Sequence, residues 1–264
     1  TMGVYWTMKY ANKKDEVLLG EWGFKPKGLD VKIFTPKEYY YKYKEKGIPT
    51  DFPFSIKPSE LDAGDWCMTF DVSSNDPIGV LLERIIYRLK QTKGDYDIDD
   101  MITSVQEDTR TEKATRDALE NRLIGTKAWG VFSKEGTSLT DLIFGGQVTV
   151  LDVSCYATSP SGWKIKYLII GLIAKKLFIQ RMIARKNEEY EAIHHVTHYF
   201  GESTTGTKQD MPLVWLVVDE AHEFLPLRGK NPATDPLVTI MREGRQPGIS
   251  LILATQQPGK IHSD

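Results

Sequence analysis

The sequence predicts an α/β protein whose mostly parallel sheet is covered by helices on both faces. Three observations carry this. Short apolar runs rich in β-branched residues alternate with longer stretches of helical periodicity. Two of those runs, GQVTVLDVS (146–154) and LVWLVVDE (213–220), close on polar or acidic side chains, as strands do when they end at a ligand crevice. The chain is 264 residues long, 41% hydrophobic and 11% aromatic, which is enough material to fill a core and too much for a disordered segment.

The first part of the chain, to about Pro58, is rich in Gly, Pro, Lys and aromatics, with a strand at Val31–Phe34 stopped by Thr35 and Pro36. Trp66–Phe70 reads as a second strand. Residues 73–77 (SSNDP) then supply caps and a proline for a first helical turn, leading into IGVLLERIIYRLKQ. Two further helical patterns, Ile98–Glu107 and Thr111–Gly125, are charged on one side. The stretch from about 75 to 130 therefore reads as a helical insertion. Gly145 and Gly146 turn the chain into a buried strand whose polar end carries Asp152 and Ser154.

A long helix follows from about Lys164 to Glu191. It is apolar at Leu168, Leu172, Leu177 and Ile179 and basic at Lys175, Lys176, Arg181, Arg185 and Lys186, a pattern that an ordinary solvated face explains. Past a polar loop (201–210), the strand PLVWLVV runs into DEAHEF. A Pro/Gly-rich loop leads to a helix from Asp235 to about Gly244, and ISLILAT is the last strand. Internal repeats and a clean linker are both missing from the pattern, so one domain with a helical elaboration is expected.

Composition excludes several classes. With 34 Lys+Arg against 36 Asp+Glu the net charge is -2, so nucleic acid can be attracted only by a local basic face. Two cysteines, Cys67 and Cys155, are too few for a disulfide scaffold, and reduced thiols in a cytoplasmic protein are the expectation. The longest apolar stretch, Tyr167–Ala174, is well short of the roughly 20 residues of a membrane span.

Asp219 and Glu220 are the strongest chemical feature. At the carboxyl end of a parallel strand, Asp219 is placed to hold Mg²⁺ through its water shell, because Mg²⁺ takes few protein carboxylates plus water and phosphate oxygens. Glu220 is placed to orient and deprotonate a water attacking a γ-phosphate. This is a Walker B arrangement with its catalytic glutamate, although acidic residues at a helix start also act as caps. Downstream, MREGRQPG (241–248) precedes a strand ending in Thr255, Gln256 and Gln257. A polar side chain there can touch the γ-phosphate or attacking water. Arg242 and Arg245 are bidentate donors suited to phosphoryl charge across a subunit interface, or to compensating a helix dipole.

VWLVVDEAHEFLP (214–226) followed by TIMREGRQPGISLILATQQP (239–258) resembles the HerA branch of hexameric P-loop ATPases, the archaeal and bacterial DNA translocases related to FtsK. GVYWTMKY (3–10) and LLGEWGFKPKGLDVKIFTP (18–36) resemble the stretch after the nucleotide-binding helix of that family, and GQVTVLDVS the strand before its long helix. The resemblance implies a RecA-like core, ATP and Mg²⁺ as cofactors, movement along duplex DNA, a homohexameric ring and a NurA-type nuclease partner in DNA end processing. It implies Asp219 for Mg²⁺, Glu220 for the water, Gln256 as sensor and Arg245 as the arginine finger reaching a neighbour's site.

One departure stands out: G-x-x-x-x-G-K-[ST] does not occur in these residues. The nearest string, GESTTGTK (201–208), places Lys208 one position late and lies between a helix and a strand in the wrong order. The expectation is an incomplete RecA-like ATPase domain over 1–264 that starts after its phosphate-binding loop and does not bind ATP tightly by itself. The alternatives are a regulatory module of the same fold that lacks nucleotide binding, and a related conjugation or secretion ATPase. A two-domain DEAH helicase fits poorly, because its arginine motif lies in a second domain. His194, His195 and His198 near Glu191 offer a weak surface metal reading. Lys13, Lys14, Lys25, Lys27 and the lysines of 42–46, interleaved with Tyr39, Tyr40, Tyr41 and Tyr43, can line a backbone-tracking channel or form an exposed amphipathic segment.

Overall fold

A computed structural model describes residues 5–159, 161–197 and 211–262, without the side chains of 192–197. The chain forms two compact units, Thr1–Ser138 with Gly146–Lys166, and Leu139–Gly145 with Tyr167–Asp264. The metal reading at His194, His195 and His198 and the string GESTTGTK (201–208) fall outside the described residues and side chains.

The first unit is built on a parallel sheet of order β2-β1-β3, with β1 at Val31–Pro36, β2 at Phe52–Phe54 and β3 at Val148–Leu151. Between them lie α1 (Glu16–Glu21) and α2 (Lys37–Glu45). β1 is central and nearly all buried, which is why it reads as an almost continuous apolar run. Asp51 secures it by accepting from the Ile33 amide at 2.8 Å and from Lys9 Nζ at 2.6 Å. The strand continues through Thr35 and Pro36, two residues past the predicted stop. Pro36 is tolerated because pairing with β3 has ended at Phe34 and only β2 lies alongside. β3, expected to be buried, is half-buried along its length.

Trp66–Phe70 is not a strand. It is the end of helix α3 (Ala63–Phe70), started by a reciprocal capping box in which Asp62 and Asp65 each accept the other's backbone N–H at 2.9 Å. Helical spacing brings the fully buried Trp66 onto Phe70, with ring centroids 5.4 Å apart, and Phe132 lies at the same distance. Helices α4 (Pro77–Thr92), α5 (Ile98–Gln106) and α6 (Lys113–Lys127) follow close to the predicted bounds. Their buried residues, including Leu81, Ile85, Met101, Val105, Leu119 and Leu123, recur at helical spacing and pack on one another. A second capping box, Asp97 with Asp100, starts α5.

The second unit holds α7 (Leu139–Leu142) and, from Tyr167 on, α8 (Gly162–Thr197), whose first residues belong to the first unit. The unit's sheet pairs β4 (Val214–Val218) with β5 (Ile249–Leu253) in parallel, and α9 (Ala221–Phe224) and α10 (Thr234–Glu243) make the crossover. Among the described residues every strand-to-strand pairing is parallel, as in α/β folds, and the one antiparallel contact is the isolated bridge between Pro226 and Ile261. Burial on both faces holds for β1 but not for this pair: Leu213, Trp215, Val217 and Ile252 are exposed on one face, while Val218 and Ile249 are buried on the other. Gly171 of α8 allows the chain to pass closely, since a Cβ there would meet the Pro232 carbonyl oxygen at 2.3 Å.

Two readings of α8 are corrected. Ile179, placed with the apolar face, is 50% exposed, and Arg181, placed with the solvated basic face, is fully buried. Arg181 donates through Nε to the Pro247 carbonyl at 2.7 Å and through Nη1 to the Met211 carbonyl at 2.6 Å, with Glu188 Oε1 at 3.2 Å. The guanidinium thus fastens the chain just ahead of both β4 and β5.

Candidate active site

β4 delivers Asp219 and Glu220 at its carboxyl end, half-buried rather than enclosed. Glu220 is left-handed, with φ 52° and ψ 46°, a conformation that costs a non-glycine residue about 1–2 kcal/mol. Asp219 Oδ1 accepts from the Glu220 amide at 2.9 Å and offsets part of that strain. The twist turns the Glu220 side chain across to the end of β5, where Gln256 Nε2 donates to Glu220 Oε1 at 3.0 Å.

The backbone fixes these two strand ends together. The Ala254 amide donates to the Val218 carbonyl, and the Ala221 amide to the Ala254 carbonyl, each at 2.9 Å. α9 is a single turn that cannot hold itself, and side chains from the following loop stabilise it. Asn231 Nδ2 donates to the Glu223 carbonyl and Thr234 Oγ1 to the Phe224 carbonyl, both at 3.1 Å. Tyr167 of α8 packs its ring edge-on to Phe224, centroids 5.9 Å apart.

His222, to which sequence reasoning assigned no role, is 8% exposed in its side chain and sits at the centre of this group. Its Nδ1 lies 2.9 Å from Thr255 Oγ1 and 3.6 Å from Glu220 Oε2, and its Nε2 lies 3.2 Å from Glu223 Oε1. The signal was the histidine of DEAH together with a threonine at the next strand's end. Their contact spans 33 residues and lies beyond any periodicity.

Arg245 stands apart from the other predicted residues. It precedes β5, whereas Asp219, Glu220 and Gln256 follow β4 and β5, so the length of β5, about 17 Å, separates them. Its exposed guanidinium shows no ion pair or side-chain hydrogen bond among the described residues and borders a surface concavity of about 330 Å³ with Ile240, Met241 and Ser250. The structure brings three of the four predicted residues together and puts the fourth at the opposite strand end.

The donor set suits Mg²⁺. Asp219 and Glu220 offer half-exposed oxygens without thiolate, and no group of three or more His, Cys, Asp or Glu side chains is gathered for a metal among the described residues. A hard cation that keeps most of its waters needs no more than one carboxylate here.

In the first unit the tyrosines suggested for a nucleic-acid channel are partly engaged. Lys42 Nζ lies over the Tyr39 ring at 5.2 Å and Lys44 Nζ over the Tyr40 ring at 4.9 Å, Tyr40 is buried, and only Tyr41 of α2 is strongly exposed. Burial, with the nearby Asp152 carboxylate, pushes the Cys155 thiol up to about 12. That thiol is therefore no nucleophile at neutral pH. No helix among the described residues is long and apolar enough to cross a membrane.

The parallel β4–β5 pair ends in two carboxylates and an amide, at the strand ends where parallel α/β sheets bind ligands. Protein-family models give no match to the chain. Two curated proteins do. The probable DNA double-strand break repair helicase HerA of Methanocaldococcus jannaschii is 34% identical over 114 residues, covering 39% of this chain and 22% of its own length. The DNA double-strand break repair helicase HerA of Pyrococcus furiosus is 28% identical over 134 residues, covering 48% and 23%. Over the matched span the chain is HerA-like in sequence, and it spans about a fifth of the length of these relatives. Among solved structures, VirB4 of Thermoanaerobacter pseudethanolicus aligns with 92% of this chain and 66% of its own, at 12% identity and a TM-score of 0.45.

Proposed function

We propose that this chain carries the hydrolytic carboxylates of a HerA-type ATPase subunit that moves along duplex DNA within a homo-oligomeric, hexameric ring in the cytoplasm. The observation that carries the reading is the contact of Gln256 Nε2 with Glu220 Oε1 at 3.0 Å, which joins the acidic end of β4 to the amide end of β5. Asp219 would hold Mg²⁺, which would supply charge neutralisation at phosphate oxygens. Glu220 orients the attacking water and takes its proton, and it has Oε2 clear of the Gln256 bond to do so. Gln256 holds the other carboxylate oxygen and exchanges that bond for the γ-phosphate or the water when nucleotide is present. Arg245, about a strand's length away, cannot serve the same chain's Glu220 and instead reaches a neighbouring subunit's phosphates.

The two relatives, named as DNA double-strand break repair helicases, support DNA break processing as the setting; a NurA-type nuclease as partner follows from the sequence resemblance alone. Two other readings stay distinct: a related conjugation or secretion ATPase, and a regulatory module of the same fold. ATP turnover by the full-length protein separates all three. A HerA-type motor shows turnover raised severalfold by linear duplex DNA. A secretion ATPase turns over ATP with no such increase, and a regulatory module does not turn over ATP.

A further inference from the structure

We infer that His222 is a positioning residue for ATP hydrolysis, which sets Gln256 and Glu220 in register by hydrogen-bonding Thr255. The inference rests on the reading of Glu220 as the catalytic carboxylate.

Both ring nitrogens of this nearly buried histidine have partners. Glu223 Oε1, a carboxylate oxygen, lies 3.2 Å from Nε2 at ion-pair distance, and its charge favours a proton on that nitrogen. In the neutral ring Nδ1 is then an acceptor, and the partner 2.9 Å away, Thr255 Oγ1, must donate. Thr255 Oγ1 in turn accepts from the Gln257 amide at 3.0 Å. Thr255 thus links the Gln257 amide to His222 Nδ1, with the Glu223 carboxylate at ion-pair distance from Nε2.

The consequence falls on Gln256, the residue between the two that this link pins. Thr255 is held to α9 by His222, and the segment after β5 is held again where the Leu227 amide meets the Lys260 carbonyl and the His262 amide meets the Leu225 carbonyl, each at 2.9 Å. The DEAH turn and the stretch from Thr255 to His262 are thus clasped at both ends. Gln256 presents Nε2 to Glu220 from inside the clasp, and because it is exposed, little else in its surroundings fixes it. At 3.6 Å from Glu220 Oε2, His222 is too distant for a good hydrogen bond to the carboxylate and acts on it through Thr255 and Gln256.

The test is steady-state ATP turnover of the full-length protein in which His222 is replaced in two ways. An asparagine side chain can place its carbonyl oxygen near the position of Nδ1, whereas a glutamine extends toward that of Nε2. We expect His222→Ala and His222→Gln to lower kcat about 10- to 100-fold with little change in KM for ATP, the size of effect typical of an orienting partner. His222→Asn should recover most of the loss. Thr255→Val should match His222→Ala, the double variant should be no worse than either single one, and Thr255→Ser should behave as wild type. Equal loss in His222→Asn and His222→Gln, or additive losses in the double variant, would overturn the inference. Thermal melts of the same proteins identify a merely structural role, in which kcat falls in step with stability and the asparagine and serine variants give no rescue. Glu220→Gln measured alongside keeps the two layers separate: if it turns over ATP normally, the catalytic reading fails, whereas if it is dead and His222→Ala is fully active, only the positioning role fails.

Discussion

Replacing Arg181 by methionine removes a fully buried cation that fastens the entrances of β4 and β5. Two effects oppose each other. Burying the guanidinium costs desolvation, and Nη2 has no hydrogen-bond partner among the described residues, so an apolar side chain of similar length recovers some of that cost. Against that, the buried Pro247 carbonyl and the half-buried Met211 carbonyl lose donors at 2.7 and 2.6 Å, at about 1–3 kcal/mol each. Glu188 loses less, because it is 26% exposed and keeps Arg185 at 3.5 Å. The carbonyl losses win, and Arg181→Met should destabilise by about 2–4 kcal/mol, a fall in Tm on the order of 5–15 °C for a chain of this size. Arg181→Lys should fall between, since one ammonium cannot reach both carbonyls in the guanidinium's fork geometry. Calorimetry or circular dichroism decides the matter. A methionine variant as stable as wild type would show that desolvation cancels the clamp and would refute the reasoning.

Further outcomes follow for Arg245 and Cys155. Arg245→Ala subunits mixed with wild-type subunits should depress ATP turnover more steeply than their mole fraction, because Arg245 lies too far along β5 to serve its own Glu220; a linear decline would assign one site to each chain. Cys155, with its thiol pushed up to about 12 against an ordinary value near 9, should alkylate with iodoacetamide at pH 8 about a thousandfold more slowly in the folded than in the unfolded chain. The same shift favours the folded state fully below pH ~9 and less so as pH rises toward 12, so Tm should decline over that interval. Folded and unfolded rates that agree within a few-fold, read by peptide mass spectrometry, would contradict this environment.

Much of the fold was legible because burial and chain direction leave periodic marks. β4 and β5 are recognisable from LVWLVV and ISLILA, α4 from its leucines and isoleucines at helical spacing, and the carboxylates from their place at a strand's end. Trp66–Phe70 misleads because aromatic and β-branched residues favour strands, while the Asp62–Asp65 capping box four residues earlier decides for a helix. Arg181 looked solvated because its neighbours on α8 are basic, and its partners lie 30 and 66 residues away. His222 was hidden for the same reason. Asp219, Glu220 and Gln256 were found by motif, whereas the threonine and histidine that align them meet only once the strands pair.

Nucleotide binding and turnover measured on a single preparation of the full-length Glu220→Gln protein test the site most directly. Glutamine keeps the shape of Glu220 and its acceptor for Gln256 but cannot take a proton from water. Hydrolysis should fall by two or more orders of magnitude while Mg-ATP binding stays within a few-fold of wild type. Wild-type hydrolysis in this variant would contradict the assignment of Glu220 and, with it, the placement of an ATPase site at the end of β4.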